Sequence, residues 1–317
     1  MGASPDLDPT SSTTADGPTS ATPIATTSAV TRAAIDGPRG AVPVRRYAPT
    51  AIAAGAAPPP LVVWLHGGGF FRGDLDQPEA HDVARSLAAR GVPVVTVDYT
   101  LAPVPLPFGG RLGLGASRPR ARYPAAEEDV LSAVRALAGP IPGVVIGGAS
   151  AGACLAAATA LRLSPPVGAD ERPVGLLLAY GFFHATLPRS RETQRAVRGH
   201  RRLWHAPLAL DGMNRNYAGS WSKAADPAAF AGGRELDGLP PTLMVDAERD
   251  AMRASGEVFA TELTEAGVDL ERHVVPGTDH AFLNRPELAA FASTLDLTAA
   301  WLHRLGSGGR AGRDAPA

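Results

Sequence analysis

One cysteine, Cys154, stands in 317 residues, so no disulfide can form within one chain. It follows a Gly/Ala/Ser corner on a helical stretch and reads as a small buried apolar residue. Excess positive charge is also missing: 30 Lys and Arg against 31 Asp and Glu leave a formal net charge of −1, and Lys223 is the sole lysine. A polyanion binder shows a basic stripe or a high pI, so nucleic acid is excluded as a partner. No apolar run reaches the ~18 residues that a spanning helix needs. The opening MGASPDLDPTSSTTADGPTS has neither a basic start nor an apolar h-region. These absences point to a cytoplasmic protein without a membrane span. Neither a metal nor a cofactor is expected, and a homodimer is left open.

What is present suffices for one large domain, since 45% of the residues are hydrophobic. Residues 1–28 are Ser/Thr/Pro-rich without periodicity and read as a disordered arm, leaving 29–317 as the folded part. Thr31–Ile35 and Ala41–Tyr47, on either side of Asp36-Gly37-Pro38-Arg39-Gly40, read as a β-hairpin. From Leu61–Leu65 onward strands and helices alternate. Helices are expected at Pro78–Arg90, Ala125–Ala138, Ser255–Ala266 and Pro286–Leu305, and strands at Val92–Val97, Val144–Ile146, Val174–Tyr180, Thr242–Val245 and Val268–Val275. That alternation predicts an α/β fold, a mostly parallel central sheet with helices on both faces. Two segments break it. Pro103–Arg122 is a Gly/Pro/Arg loop too long for an ordinary connection. Phe182–Gly238 holds several aromatics and many arginines but no strand pattern, and reads as a helical cap over the C-terminal sheet edge, where open α/β folds bind ligands.

Chemistry concentrates at Gly148-Ala149-Ser150-Ala151-Gly152, a G-x-S-x-G pattern between a short apolar strand and an Ala/Leu-rich helix. A serine on so tight a turn needs neighbours without side chains two positions before and after it. The free first-turn N–H of Ala151 and the positive helix end point at any oxyanion formed beside Ser150. A serine hydroxyl needs a base, and the base needs a carboxylate to orient it. Of eight histidines, His280 lies between the last strand and the last helix, where the chain order Ser…Asp…His places a base. For the acid, Asp246, Glu248 and Asp250 all follow one strand; Asp250 is preferred and Asp246 is its rival. His66-Gly67-Gly68-Gly69 follows another strand and offers backbone donors, assigned to Gly68 and Gly69 together with Ala151, while Gly67 permits the turn. Phe70, Trp204, Tyr217 and Trp221 are the candidates for an apolar substrate wall.

The chain resembles the hormone-sensitive-lipase-like branch of the α/β-hydrolase superfamily, bacterial family IV carboxylesterases with an HGGGF motif. The likeness runs from about Thr31 to Leu305. It rests on HGGGF at 66–70, Val97-Asp98-Tyr99 with Leu101-Ala102-Pro103, the block from Tyr123-Pro124-Ala125-Ala126 to Asp129, the GASAG corner, Leu239-Pro240-Pro241-Thr242 and Gly256-Glu257-Val258-Phe259. The resemblance implies an α/β-hydrolase fold with an inserted cap at about 182–238. It also places the family's acid on Asp250, the first aspartate of the motif that precedes Gly256. Ala149, Ala153, Cys154, Thr100, Val104 and Ala254 depart from the family pattern and suggest an altered pocket. With no helix pattern in residues 1–28, the lid is expected to be thinner than in the family and the site more open.

The expected function is hydrolysis of a short- or medium-chain carboxylic ester, a small-molecule substrate, through an acyl-enzyme. The same triad would serve an amide or N-acetyl hydrolase or an acyl-transfer enzyme. A non-catalytic ligand receptor of the same fold would have lost the histidine, and His280 is present.

Overall fold

The computed structural model describes residues 29–49, 57–105, 119–138, 143–199, 202, 205–226 and 228–311. The arm at 1–28, residues 106–118 of the long loop, and Trp204 lie outside the described residues.

Eight strands form one sheet: β1 Val30–Ile35, β2 Val42–Tyr47, β3 Leu61–Leu65, β4 Val94–Val97, β5 Val144–Ala149, β6 Gly175–Ala179, β7 Thr242–Arg249 and β8 Leu270–Asp279, in the order β1-β2-β4-β3-β5-β6-β7-β8. β1 and β2 form the expected hairpin and β2 runs antiparallel to β4; the remaining pairs are parallel. The central strands are unbroken runs such as LVVWL because a parallel sheet is covered on both faces. Alternation along each strand then sorts the side chains. Val62, Trp64, Val94 and Val145 face one core with α1 (Pro78–Ala89) and the closing helix α8 (Ala289–Ala311). Val63, Leu65, Val95 and Ile146 face the other, with α2 (Ala125–Leu137), α3 (Ala151–Arg162) and α7 (Arg253–Glu265). α3 is buried on all sides over Ala151–Ala160, and its alanines let it lie close against the sheet. No helix among the described residues is long and apolar enough to cross a membrane.

Among the described residues between β6 and β7 the α-helices are α4 Arg191–Ala196, α5 Pro207–Ala218 and α6 Trp221–Ala224, and no strand is present. α5 begins on Pro207, whose missing N–H costs nothing at a helix start, and buries Leu210, Tyr217 and Ala218 on the sheet side.

Three strands are longer than their apolar runs suggest. β5 reaches Ala149, β7 reaches Arg249 through a register shift between Ala247 and Arg249, and β8 reaches Asp279. Ladder hydrogen bonds carry these strands past their hydrophobic residues. Ser150, Asp250 and His280 are therefore each the first residue beyond a strand.

One buried carboxylate stands out in the helical layer. Glu127, in the first turn of α2, is fully buried, and neither of its oxygens has an aligned hydrogen-bond donor; Arg162 of α3 reaches only to 3.3 Å. Burial pushes its pKa from the ordinary 4.5 up to about 7. Between those values the folded chain holds a proton that the unfolded chain has released, so stability falls as pH rises through that window. Glu127→Gln is expected to change stability little at pH 5 and to raise it at pH 8 by up to about 3 kcal/mol. Urea unfolding at the two pH values checks this, and an equal effect at both would contradict it.

Candidate active site

Ser150 takes φ 54° and ψ −118°, a conformation that costs a residue with a side chain on the order of 1–3 kcal/mol and persists only when its surroundings fix it. Its N–H donates to Ala179 O at 2.9 Å, and its carbonyl accepts from Ala153 and Cys154 at 3.0 and 3.1 Å as the first bonds of α3. The corner closes because two glycines let backbone meet backbone. A Cβ on Gly148 would collide with the Gly152 carbonyl, and one on Gly152 with the Leu65 and His66 carbonyls at the end of β3. Among the described residues only Phe70, Ser150, Tyr180 and Ala281 combine a side chain with positive φ. Ser150 is the corner itself, Tyr180 and Ala281 lie beside His280, and Phe70 ends the glycine loop.

Ser150 Oγ lies 3.0 Å from His280 Nε2, and His280 Nδ1 lies 2.6 Å from Asp250 Oδ2. The three residues are buried, at 5%, 7% and 1% exposure respectively. Asp250 Oδ1 accepts the Met252 N–H at 3.0 Å, so the carboxylate is bonded on both oxygens. The rival Asp246 is engaged elsewhere: Arg272 reaches its Oδ2 with two nitrogens at 2.7 and 2.9 Å. Burial raises the Asp246 pKa to about 6 against the pull of that guanidinium. Such a chain of hydroxyl, imidazole and carboxylate can move the serine proton to His280 while the imidazole is held in one orientation.

The glycine loop sits beside the hydroxyl, for a Cβ on Gly67 would fall 3.0 Å from that of Ser150. Gly67 donates its N–H to the Glu79 carboxylate at 2.6 Å. The N–H groups of Gly68, Gly69 and Ala151 donate to no acceptor among the described residues, which leaves three donors for a developing negative charge. His66 is fully buried, with Nδ1 2.8 Å from Gly67 O and its ring stacked on Tyr99 at 4.4 Å, a packing role. Among the described residues no group of three or more His, Cys, Asp and Glu is placed to hold a metal.

The helices between β6 and β7 overhang this site. The His205 ring meets His280 edge-on with centroids 5.0 Å apart, and Met213 Sδ sits over Gly69. Of the proposed wall aromatics, Phe70 and Tyr217 stack on each other at 4.0 Å and are both 1% exposed. Phe182 and Phe230 meet the Phe70 ring edge-on. These two residues therefore form core under α5, not an open wall, because an amphipathic helix spends its inward side on packing. Trp221, at the start of α6, is 48% exposed, and Trp204 lies outside the described residues. Sequence reasoning passed over His205, Met213, Glu79, Tyr180 and Asn284. A lone acid in a helix first turn reads as a surface residue, and nothing local marks a side chain that reaches across the fold.

The sequence profile of the family described as alpha/beta hydrolase fold matches residues 62–107 and 116–284. Esterase LipI of Mycobacterium tuberculosis is 31% identical over 269 residues, spanning 79% of this chain and 73% of its own. An esterase of Pyrobaculum calidifontis superposes with a TM-score of 0.72 at 28% identity, over 87% of this chain and 85% of that one. Brefeldin A esterase, described as a bacterial homologue of human hormone-sensitive lipase, superposes with a TM-score of 0.70 at 25% identity, over 93% of this chain and 81% of its own.

Two glycine substitutions separate close approach from ordinary helix propensity. Gly148→Ala forces β5 and α3 apart and is expected to destabilise by about 1–3 kcal/mol. Gly212→Ala in α5, where an added Cβ meets nothing within 4 Å, is expected to stabilise by about 0.5–1 kcal/mol. Thermal unfolding of both variants measures the contrast, and a loss at position 212 as large as that at 148 would refute it.

Proposed function

The chain belongs to the α/β-hydrolase family, in its hormone-sensitive-lipase-like branch, and is a carboxylesterase-type hydrolase, and from that premise we propose that Ser150, His280 and Asp250 cleave a short- or medium-chain carboxylic ester through an acyl-enzyme. The observation that carries this reading is the bonded chain from Ser150 Oγ through His280 to Asp250, at the ends of β5, β8 and β7. Ser150 Oγ attacks the ester carbonyl carbon while His280 Nε2 takes its proton. The carbonyl oxygen becomes an oxyanion, received by the N–H groups of Gly68, Gly69 and Ala151, with the positive end of α3 behind Ala151. His280 then gives the proton to the departing alcohol oxygen as the carbon–oxygen bond breaks. A water molecule, deprotonated by His280, attacks the acyl carbon; the bond from that carbon to Ser150 Oγ breaks, His280 returns the proton to Oγ, and the acid leaves. Asp250 keeps Nδ1 of the imidazole protonated and stabilises the imidazolium throughout.

We assign residues 182–238 to a cap on this hydrolase domain, supported by His205 against His280 and by Met213 over Gly69. The aromatic stack of Phe70, Tyr217, Phe182 and Phe230 fills the space beneath α5, and that filling favours a short acyl group.

A fluorophosphonate probe is expected to place one adduct on the peptide carrying Ser150, and p-nitrophenyl acetate and butyrate should be turned over far faster than an aryl acetamide. Labelling of another residue in an active preparation would remove Ser150 from the role. Asp250→Asn should lower kcat by up to ~10⁴-fold in a folded enzyme, through the wrong imidazole tautomer, whereas Asp246→Asn should act mainly on stability. The reverse ranking would move the acid to Asp246.

A further inference from the structure

Glu79 lies in the first turn of α1, thirteen residues beyond His66, and is 1% exposed. Its carboxylate is saturated with donors. Oε1 accepts the Gly67 N–H at 2.6 Å and the Gln77 amide at 3.4 Å; Oε2 accepts the Tyr180 hydroxyl at 2.6 Å and the Asn284 amide at 2.9 Å. Its backbone is taken up as well: the N–H donates to Asn284 Oδ1 at 3.1 Å, and the carbonyl accepts the Trp64 indole at 2.7 Å. Among the described residues no cation pairs with it. A buried carboxylate is tolerated only when several good donors replace its water. The three strongest donors here come from three different segments of the site.

Gly67 opens the loop that presents Gly68 and Gly69. Tyr180 closes β6 at φ 37° and turns the edge of its ring to His280 at 5.2 Å. Burial and the neighbouring Glu79 push the Tyr180 pKa well above its ordinary value, so its hydroxyl stays a donor. Asn284 belongs to the short turn Phe282–Asn284 that follows His280. We propose that Glu79 is a positioning residue for catalysis, one carboxylate that holds the oxyanion-donor loop and the His280 loop in register with Ser150. By occupying the Gly67 N–H it turns that donor away from the substrate and leaves the next two to face the oxyanion. This rests on the triad and oxyanion assignment above and adds a residue that touches neither substrate nor reacting atoms.

Glu79→Gln keeps the side-chain shape but offers one acceptor where the carboxylate offers two, so at least one of the three segments loses its anchor. Catalytic geometry is sensitive to such slackening, with shifts near 1 Å worth up to ~10²-fold. Expected for Glu79→Gln is a fall of about 10- to 100-fold in kcat per active site titrated by burst, with KM for p-nitrophenyl acetate held within about threefold. The affinity for a trifluoromethyl ketone, which forms an oxyanion on Ser150, should fall in step with kcat. A merely structural role would reduce the number of titratable sites and the Tm, while leaving kcat per site unchanged; that result overturns the proposal. If Glu79→Gln fails to fold, Glu79→Asp is measured in the same way. It keeps the charge one methylene short of Gly67, and normal kcat per site with normal ketone affinity would again overturn the proposal. Ser150→Ala separates the two readings. Residual full activity there would defeat the triad itself, whereas an inactive Ser150→Ala beside a fully active Glu79→Gln would defeat the role of Glu79 alone.

Discussion

A single strained residue governs the arrangement of this site. Ser150 sits at φ 54° between a strand and a helix, and that corner closes only because Gly148 and Gly152 bring backbone against backbone and against the end of β3. Once closed, it fixes three things together: the hydroxyl projects beyond the sheet edge, α3 starts with its unpaired N–H of Ala151 beside that hydroxyl, and the glycine loop after β3 is drawn against the same point. The alanine-rich face of α3 serves the same requirement, since bulkier side chains would lift the helix off the sheet.

Around that corner, buried carboxylates differ in how they are satisfied, and the difference tracks what they hold. Asp250 is bonded to His280 and to the Met252 N–H. Glu79 gathers a backbone amide, a phenol and a side-chain amide from separate segments. Asp246 is matched to a guanidinium on the adjacent strand, and its role is confined to the β7–β8 side of the sheet. Glu127 has no aligned donor, and its pKa rises to about 7. Donor-rich carboxylates hold geometry. The donor-poor one yields its charge near neutrality, as expected when desolvation outweighs a close but poorly aligned cation.

The helices between β6 and β7 touch the site through few residues. His205 meets His280, Met213 covers Gly69, and Tyr217 joins Phe70, Phe182 and Phe230 in an aromatic cluster. Inward positions of α5 thus divide between the core, at Tyr217, and the neighbourhood of the glycine loop, at Met213.

What the sequence by itself determined follows from local rules. Alternating apolar runs and glycine stops marked the parallel sheet and its helices, and GASAG marked a corner only a glycine-flanked serine can make. The order of HGGG, Ser150, Asp250 and His280 put each candidate group just past a strand, because side-chain period and turn sterics act over a few residues. Strand ends were less visible: hydrogen bonds extend β5, β7 and β8 beyond their hydrophobic residues, and a ladder bond leaves no trace in composition. The sequence preferred Asp250 to Asp246, but only the tertiary structure shows why: Asp250 meets His280, while Arg272 on the adjacent strand claims Asp246. Tertiary structure alone sent Tyr217 into the core and left Trp221 exposed. It alone joined Glu79 to Asn284, 205 positions away, because a side-chain contact between distant segments depends on how the elements pack, and no periodicity within either segment carries that information.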